Sequence, residues 1–485
     1  MDLAQELARS LGRDAYIRET HVSRVIVAGS CAYKLKKPLR YPFVDQSTTE
    51  LRRALCEEEV RVNQVLAAPI VRGVAAVVRR PGGLELQPPG SAGALDHVVV
   101  MRRFRDADTL AARLATGRAH DDDVRAVGRV LAGYHSTAQP STDAEGPARR
   151  WALNLAELPD ALDEIDPAIL AMLGTFGPAQ AHRWSPELER RAARGLVVDG
   201  HGDLRAEHVL LDGDRILVVD RLEFDAKLRR ADVAEDLAFL TMDLEHLGAR
   251  WAAERLLEGY LGAGGDLGPP QLIAFFGAYR ALVRAKVAAL ADRRAEALEL
   301  VDLAVRLSWR ARRPLHVIVT GPPASGKSTL GNALADAAGV AHLGSDAIRP
   351  RDAAGRGCYD TRSRAAVYRK LGRAARGLDS FVIEATFGAP VLQQAFLEAA
   401  GPLDGLAIVE CDAPADVLLD RAARRPTGGP AASEAGPGVA VALRERHVPF
   451  APTGASRLRV DTTADVAASV TLVARWLDRA HSAHS

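Results

Sequence analysis

The chain has 485 residues, a length that accommodates about three domains or lobes. Its 48% hydrophobic and 26% charged residues are typical of a globular protein and exclude a disordered, collagen-like or coiled-coil chain. Because 63 Lys plus Arg stand against 62 Asp plus Glu, the net charge is only +1. No global field therefore attracts nucleic acid or an anionic membrane, and any anion must be bound locally.

Cysteine use and hydropathy predict a cytoplasmic protein. Cys31, Cys56, Cys358 and Cys411 are far apart and form no CxxC pair, which argues against a zinc site or a disulfide framework. The N-terminal run MDLAQELARSLGRDAY carries acids and has no apolar core, and no uninterrupted apolar run of about 18 residues occurs. We expect a chain that is neither exported nor membrane-spanning.

The first 105 or so residues predict a β-rich lobe with one long helix. HVSRVIVA and CAYKLKK are strand-like runs joined at Gly29, which favours a hairpin. A helix is expected over 47–67, ended by Pro69, and two more strands over 70–78 and 97–104.

From about residue 106 the pattern becomes mainly helical. It is interrupted over 196–220 by a short strand, a loop and a hairpin, LVVDGHGDL and HVLLDGDRILVVD. Long helices resume over 232–309 and end at a basic patch and Pro314, where we place a domain boundary. A solvated linker explains this patch better than a nucleic-acid site.

Beyond Pro314 strands and helices alternate. The strands are LHVIVT, FVIEAT and LAIVECD, and helices are expected from Lys327 and from about 390, 414 and 464. This alternation predicts a parallel sheet covered on both faces. The Gly/Pro/Ala-rich stretch 426–438 predicts a mobile loop.

The strongest motif is GPPASGKS at 321–328, which matches GxxxxGK[ST] between a strand and a helix. Backbone N–H groups of such a loop wrap the β-phosphate, Lys327 reaches the β- and γ-phosphates, and the Ser328 hydroxyl binds magnesium. The predicted nucleotide-binding residues are Gly321, Ala324, Ser325, Gly326, Lys327, Ser328 and Thr329.

Three further features of this region are candidates for catalysis beside Lys327. Asp346, in HLGSDAIR, is placed to orient an acceptor hydroxyl or a metal-bound water, and Glu384 ends a strand where an acid helps to hold magnesium. Arg421, Arg424 and Arg425 adjoin the Gly/Pro loop, and as a lid they would bring Arg421 and Arg425 onto the transferring phosphate. The alternatives are carboxylates that cap helices and arginines on a solvated helix face.

Residues 314–480 resemble P-loop small-molecule and polynucleotide kinases, on GPPASGKS, GSDAIR, EATF and the arginine-rich segment. Family members usually have Asp where this chain has Glu384. The resemblance implies an α/β P-loop kinase domain over 313–485 that uses ATP and Mg²⁺.

A second constellation lies in HGDLRAEHVLL, residues 201–211, followed by ILVVD at 216–220. Asp203, on a loop between strands, is a candidate to accept a proton from a hydroxyl, and Asp220 a candidate to hold magnesium at the β- and γ-phosphates. We expect His201 to organise the loop rather than to carry protons.

The N-terminal lobe offers a cation for the phosphates of the same site. In CAYKLKK, Lys34 is the candidate to reach the α- and β-phosphates, and Lys36 on the same strand face is the runner-up. Glu59 on the following helix is expected to hold the lysine as an ion pair, with Glu57 and Glu58 left open.

Together these residues and DVAEDLAFL at 232–240 resemble the aminoglycoside phosphotransferase-like kinases, a branch of the protein-kinase-like fold. The order of the halves resembles proteins described as a bifunctional aminoglycoside phosphotransferase and ATP-binding protein. The resemblance implies an α+β bilobal domain over 1–312, with an N-lobe over about 1–105 and a helical C-lobe over about 106–312.

Two departures from that family concern its chemistry. The family commonly has a metal-binding Asn five residues after the catalytic Asp, where this chain has His208. His208 remains a candidate metal ligand, although magnesium prefers oxygen; it either binds metal poorly, serves another step or marks weakened catalysis. A pocket for a polycationic aminoglycoside needs clustered acids, and the candidates are scattered: Asp225, Asp232, Glu235 and Asp236.

The leading hypothesis is an ATP-dependent phosphotransferase that acts on hydroxyl groups of small molecules at two sites. One alternative makes the N-terminal half a non-catalytic nucleotide-binding regulator, because of His208. Another makes the P-loop half a polynucleotide or nucleotide-sugar kinase, although the near-zero net charge disfavours a nucleic-acid partner.

Overall fold

The computed structural model describes residues 2–41, 44–141, 146–348, 360–424, 447–452 and 454–482. The chain divides into two compact units. The first combines Met1–Gly146 with Pro186–Ala281, and the second combines Pro147–Ser185 with Leu282–Ser485. None of the helices in the described ranges is long and apolar enough to cross a membrane.

The first unit begins with an antiparallel sheet of six strands in the order β1-β2-β3-β8-β6-β7. The remaining two strands, β4 and β5, pair with each other. The strands of this lobe are β1 (Tyr16–Glu19), β2 (Ser23–Ala28), β3 (Cys31–Lys36), β4 (Arg40–Tyr41), β5 (Val44–Asp45), β6 (Val71–Arg80), β7 (Gly83–Gln87) and β8 (Ala94–Arg102).

Alternation along β3 assigns its two faces. Leu35 packs with Leu7 of helix α1 (Leu3–Leu11), while Lys34 and Lys36 point to the other face and meet Glu59 of helix α2 (Thr49–Ala67). The sheet therefore has an apolar face under α1 and carries its charged pairs on the face toward α2.

The rest of the first unit is mainly helical, as the sequence predicts. Its helices are α3 (Leu110–Ala115), α4 (Asp121–Thr137), α7 (Ala226–Arg229), α8 (Val233–His246) and α9 (Arg250–Gly262). Short strands β9 (Val197–Asp199) and β12 (Arg230–Asp232) pair, and β10 (Val209–Asp212) forms the expected hairpin with β11 (Arg215–Val218). Helices α4 and α9 cross closely, since a Cβ on Gly259 would lie 2.1 Å from the Arg125 carbonyl oxygen.

This unit therefore has a β-sheet part followed by a mainly helical part, as the sequence predicts. Four further helices lie between residues 147 and 311, wholly or partly in the second unit. They are α5 (Pro147–Ala161), α6 (Pro167–Ala193), α10 (Pro270–Leu290) and α11 (Arg294–Ala311).

The second unit contains a five-stranded sheet in the order β14-β15-β13-β16-β17, with every neighbouring pair parallel. Its strands are β13 (His316–Thr320), β14 (Ala341–Gly344), β15 (Phe381–Glu384), β16 (Ala407–Asp412) and β17 (Ser456–Asp461). Its helices after the first strand are α12 (Lys327–Ala338), α13 (Thr361–Arg376), α14 (Pro390–Ala400), α15 (Ala415–Ala423) and α16 (Val466–Ser482). This is the predicted α/β P-loop kinase fold.

The sheet is buried on both faces. Ile318 and its neighbours on β15 and β16 pack with Leu371 of α13 and Phe396 of α14. Val317 and Val319 alternate with Ile318 along β13, so they lie on the opposite face, and both are buried.

The boundary between the two compact units differs from the domain boundary predicted at residue 313. Residues 147–185 and 282–312 group with the parallel sheet. A buried ion pair accounts for part of this grouping: Arg312 donates from Nε and Nη2 to Asp478 of α16 at 2.9 and 2.8 Å. The Arg312 guanidinium also lies over Phe176 of α6, 4.6 Å from the ring centre.

Replacing Asp478 with alanine is expected to lower the free energy of unfolding by about 3–5 kcal/mol, because the Arg312 charge stays buried without its anion. Urea unfolding followed by circular dichroism measures the loss. The double variant Arg312→Met/Asp478→Leu removes both charges and is expected to lose distinctly less. Equal losses in the single and double variants would contradict this account.

Candidate active sites

Alternating charges link the sheet of the first unit to the segment after β11. The Lys34 Nζ lies 2.9 Å from Glu59 Oε1 and 2.7 Å from Asp220 Oδ1. The other oxygen of Glu59 lies 2.7 Å from the Nζ of Lys36, which also contacts Glu223 at 2.5 Å. The predicted trio of Lys34, Glu59 and Asp220 is therefore in direct contact.

The choice among the three glutamates of α2 is resolved by their partners. Glu57 pairs with Arg53 and Glu58 with Arg61, both toward solvent, whereas the Glu59 side chain is 4% exposed. Only Glu59 of the three meets the lysines of β3.

The two lysines differ in access. The Lys36 side chain is 1% exposed and enclosed by two glutamates. Lys34 contacts Asp220, whose side chain is 46% exposed. Lys34 is therefore the lysine that a ligand on Asp220 would meet.

Asp220 presents an ionised carboxylate from a strained backbone. Its φ of 63° lies in the left-handed region, which a non-glycine residue seldom adopts. The neighbouring amide of Arg221 donates to Asn63 Oδ1 at 2.8 Å, which fixes the turn. The charge of Lys34 holds the pKa of Asp220 far below its usual value.

Two carboxylates of α8 hold the loop that carries Asp203. Asp236 accepts from the amides of His201 at 2.6 Å and Gly202 at 2.9 Å, and Asp243 accepts from the amide of Ala206 at 2.8 Å. Sequence analysis treated Asp236 only as a candidate for a cationic pocket and did not single out Asp243. Their seven-residue spacing, two helical turns, is the signal that places both on one face of α8.

His201 is buried and organises this loop, consistent with the expectation. Its Nε2 lies 3.0 Å from the Val219 carbonyl oxygen, so Nε2 carries the proton, while Nδ1 accepts from the amide of Asp203 at 3.3 Å. Burial lowers the pKa of His201 to about 4.

Asp203 and His208 are joined by a residue that sequence analysis missed, Arg205. Arg205 donates to Asp203 from Nε at 3.1 Å and from Nη2 at 3.2 Å. Its Nη2 also lies 3.0 Å from His208 Nε2, which is 3.6 Å from Asp220 Oδ2. Burial acts to raise the pKa of Asp203, but the neighbouring Arg205, His208 and His201 together outweigh it and keep that pKa below its usual value. The spacing HGDLR places a cation two residues from the acid, and this was the available signal.

In the second unit the chain after β13 curls as the motif predicts. Gly321 has φ 146°, and a Cβ there would lie 2.3 Å from the Cys411 carbonyl oxygen, so only glycine fits. Ala324 and Gly326 have φ of 67° and 78°, and α12 begins at Lys327. The loop thus turns sharply from the strand into a helix N-terminus.

Ser328 and Glu384 meet at the carboxyl end of the sheet. The Ser328 hydroxyl donates to Glu384 Oε2 at 2.7 Å, and Glu384 is 5% exposed. A hydroxyl and a carboxylate are oxygen donors of the kind that magnesium takes. Lys327 is buried beside them, with its Nζ 3.4 Å from the Pro322 carbonyl oxygen, whereas Thr329 is exposed.

Asp346 lies in the turn after β14, at the same edge of the sheet, and is half-buried.

The described arginines of α15 and its C-terminal end form contacts within the unit. Arg421 donates to the Thr462 hydroxyl at 3.0 Å and to its carbonyl oxygen at 2.7 Å, and Thr462 in turn donates to the Ser325 carbonyl oxygen at 2.8 Å. Arg424 pairs with Asp420. The predicted Arg425 and the loop over 426–438 lie outside the described residues.

His447 is a further residue at this edge that sequence analysis missed. Its side chain is 7% exposed, and neither ring nitrogen has a hydrogen-bond partner among the described residues. Nε2 lies 4.0 Å from Glu410 Oε1, and a Cβ on Gly388 would be 2.9 Å from Nδ1. Burial lowers the pKa of His447, which keeps the ring neutral. No motif precedes it, so the sequence offered no signal.

The buried His201 predicts a loss of stability in acid. The pKa of His201 in the folded state, about 4, lies below the ordinary value of 6.5. The neutral buried ring therefore stabilises the fold fully above pH 6.5, and this stabilisation is lost as the pH falls toward 4. That contribution amounts to about 3 kcal/mol. We expect the difference in unfolding free energy between wild type and His201→Gln to shrink over this range in urea titrations. His21→Gln, at an exposed histidine, is the control; a difference independent of pH would refute the assignment.

Comparisons with known proteins found matches to parts of this chain. Residues 317–449 match the family described as AAA domain (AAA_33). A choline/ethanolamine kinase family protein from Mesorhizobium loti is 15% identical, with 63% of this chain and 95% of that chain covered and a TM-score of 0.39. A gluconokinase from Sinorhizobium meliloti is 20% identical, with 34% of this chain and 92% of that chain covered and a TM-score of 0.28.

One relative extends across both units. Protein Rv2004c of Mycobacterium tuberculosis (strain ATCC 25618 / H37Rv) is 34% identical over 465 residues. The matched region covers 89% of this chain and 90% of that protein. The chain therefore belongs to the family of the mycobacterial protein Rv2004c.

Proposed function

We propose that this protein is an ATP-dependent phosphotransferase with two sites, each of which transfers a phosphoryl group to a hydroxyl of a small molecule. The observation that carries the proposal is the contact of Ser328 with Glu384 at 2.7 Å, directly after a loop that turns into a helix N-terminus. A hydroxyl, a carboxylate, a lysine and free helix amides at one place are the groups that bind a metal-bound triphosphate.

In the P-loop unit, Lys327 would hold the β- and γ-phosphates, and Ser328 with Glu384 would hold magnesium. A bound magnesium ion supplies positive charge to the phosphate oxygens. On the acceptor side, the His447 ring, whose nitrogens have no hydrogen-bond partner among the described residues, is suited to take a proton, and Asp346 offers a carboxylate at the same edge.

In the kinase-like unit, Asp220 would hold magnesium and Lys34 would bind the phosphates, held in place by Glu59. Asp203 is suited to accept the hydroxyl proton, because its carboxylate stays ionised and its loop is fixed by the α8 carboxylates. Transfer would then depend on placement and charge rather than on a covalent intermediate.

The acceptor of this unit is proposed to be a small molecule with few or no positive charges. Asp232 forms two hydrogen bonds to the buried Arg191, and Glu235 pairs with Arg280 at 2.9 Å. Asp225 caps α7. Because Asp236 also serves the loop amides, each scattered acid already has an internal partner, and none is left to bind the ammonium groups of an aminoglycoside.

A second candidate function is favoured by Arg205. Its guanidinium occupies both oxygens of Asp203, the atoms that a substrate hydroxyl would have to reach. If this contact persists with nucleotide bound, the N-terminal unit would bind nucleotide without turnover and act as a regulator.

The test is a screen of hydroxylated metabolites and sugars with ATP, in which added phosphate is detected by mass. Asp203→Asn and Lys327→Ala are each expected to remove one product; for Asp203→Asn, the loss of a general base lowers the rate about 10²–10⁴-fold. Asp214→Asn and Lys370→Ala, at exposed positions of the same two units, are the matched controls. A regulator would show unchanged products in Asp203→Asn while still binding nucleotide.

Polycationic aminoglycosides are expected to gain no phosphate in the same assay, because the acids that would bind them have internal partners. The measurement is the mass of each drug after incubation with enzyme and ATP. Phosphorylated aminoglycoside that disappears in Asp203→Asn would contradict the proposed acceptor class.

A further inference from the structure

Arg205 lies between the carboxylate proposed as base and the ring considered as a metal ligand. Its guanidinium donates to both oxygens of Asp203, and its Nη2 lies 3.0 Å from His208 Nε2. The other terminal nitrogen of Arg205, Nη1, donates a hydrogen bond to Glu207 Oε1. The Arg205 side chain is 15% exposed, so it is held by these partners rather than extended into solvent.

The hydrogen bonds of His208 leave it no lone pair for a metal ion. Its Nδ1 lies 2.8 Å from the carbonyl oxygen of Asp203. A carbonyl oxygen can only accept, so Nδ1 carries the proton and Nε2 the single lone pair of the ring. That lone pair faces Arg205, whose guanidinium is always protonated and can only donate.

The positive charge beside His208 also argues against a metal ion at this ring. A guanidinium in contact with Asp203 and His208 would repel a divalent ion placed there. Asp220, in contrast, has an exposed side chain, and Oδ2 is 3.6 Å from the same ring nitrogen. Within the described residues, no group of three or more His, Cys, Asp or Glu side chains is arranged to hold a metal ion.

We propose that the N-terminal site binds one divalent ion with the nucleotide, on Asp220, and that the guanidinium of Arg205 takes the place of a second ion. The proposal rests on the function proposed above for this unit. His208 is then a positioning residue, which orients Arg205 through Nε2 and is itself oriented by the Asp203 carbonyl group. The Asn-to-His departure and the arginine two residues after Asp203 form one functional exchange.

The exchange has a consequence for the proposed base. Arg205 is placed to release Asp203 and turn toward the phosphates when a nucleotide arrives, because phosphate oxygens compete for the same donors. A fixed cation of this kind needs no ion from solution, so the site would respond to divalent-ion concentration through one binding step instead of two.

The experiment counts manganese ions per bound nucleotide. The full chain carrying Lys327→Ala, which weakens nucleotide binding at the P-loop, is titrated with Mn²⁺ and limiting AMP-PNP, and free Mn²⁺ is followed by electron paramagnetic resonance. We expect one ion per bound nucleotide, and binding at least about tenfold weaker when Asp220→Asn is added. His208→Ala should keep the count at one and weaken nucleotide binding, and Arg215→Ala, at an exposed position of β11, should change neither.

The double exchange Arg205→Ala/His208→Asn provides the opposite test. It removes the guanidinium and restores an amide oxygen, so a second ion per nucleotide is expected to bind. Two ions in the parent chain, one of them lost in His208→Ala, would overturn the proposal. A parent chain that binds no nucleotide at the N-terminal unit would instead overturn the proposed function of that unit, and melting temperatures identify variants that fail to fold.

Discussion

Lys34 and Asp220 are separated by 186 residues in the chain and by 2.7 Å in the fold. This contact joins the third strand of the sheet to the segment after the β10–β11 hairpin, and the site proposed for the first unit depends on it. Burial acts to lower the pKa of Lys34, but the charges of Asp220 and Glu59 outweigh it and raise that pKa well above its usual value. Two lysines and three carboxylates therefore pair with one another inside the site. A metal-bound nucleotide would exchange partners with these charges and would not add an unpaired charge to a buried interior.

The sequence contained enough to predict the sites that depend on short segments. GPPASGKS specifies its own turn, and the Ser328 contact with Glu384 follows from placing two strand ends of a parallel sheet side by side. Lys34, Glu59 and Asp220 were chosen as candidates from their places on a strand, on the following helix and after a hairpin, although no local rule brings residues so far apart together. The grouping of α5, α6 and α11 with the parallel sheet could not be predicted, because it depends on packing contacts such as Arg312 with Asp478 that leave no periodic pattern. His447 was missed for the same reason, since it is defined by its surroundings and not by a motif, whereas Arg205 was missed although HGDLR places it two residues after Asp203.

The contacts inside the fold show how acidic and basic side chains, present in nearly equal numbers, pair with one another. Acids that a reader of the sequence would assign to a cationic pocket are paired inside the fold, as Asp232 is with Arg191 and Glu235 with Arg280. Paired charges of this kind orient loops and helices and contribute little to attraction at a distance. Under the proposed function, substrate choice in the first unit would therefore come from shape and hydrogen bonding rather than from long-range charge.

Thr462 gives the phosphate loop a support that comes from the far end of the chain. It follows β17, accepts from Arg421 and donates to the carbonyl oxygen of Ser325, and Gly326 leaves just enough space for it. The motif GPPASGKS therefore ends many residues before Thr462, the residue that supports its loop. During synthesis on the ribosome, the loop would lack this brace until β17 and Thr462 had emerged, so the P-loop unit would acquire this loop geometry only after them.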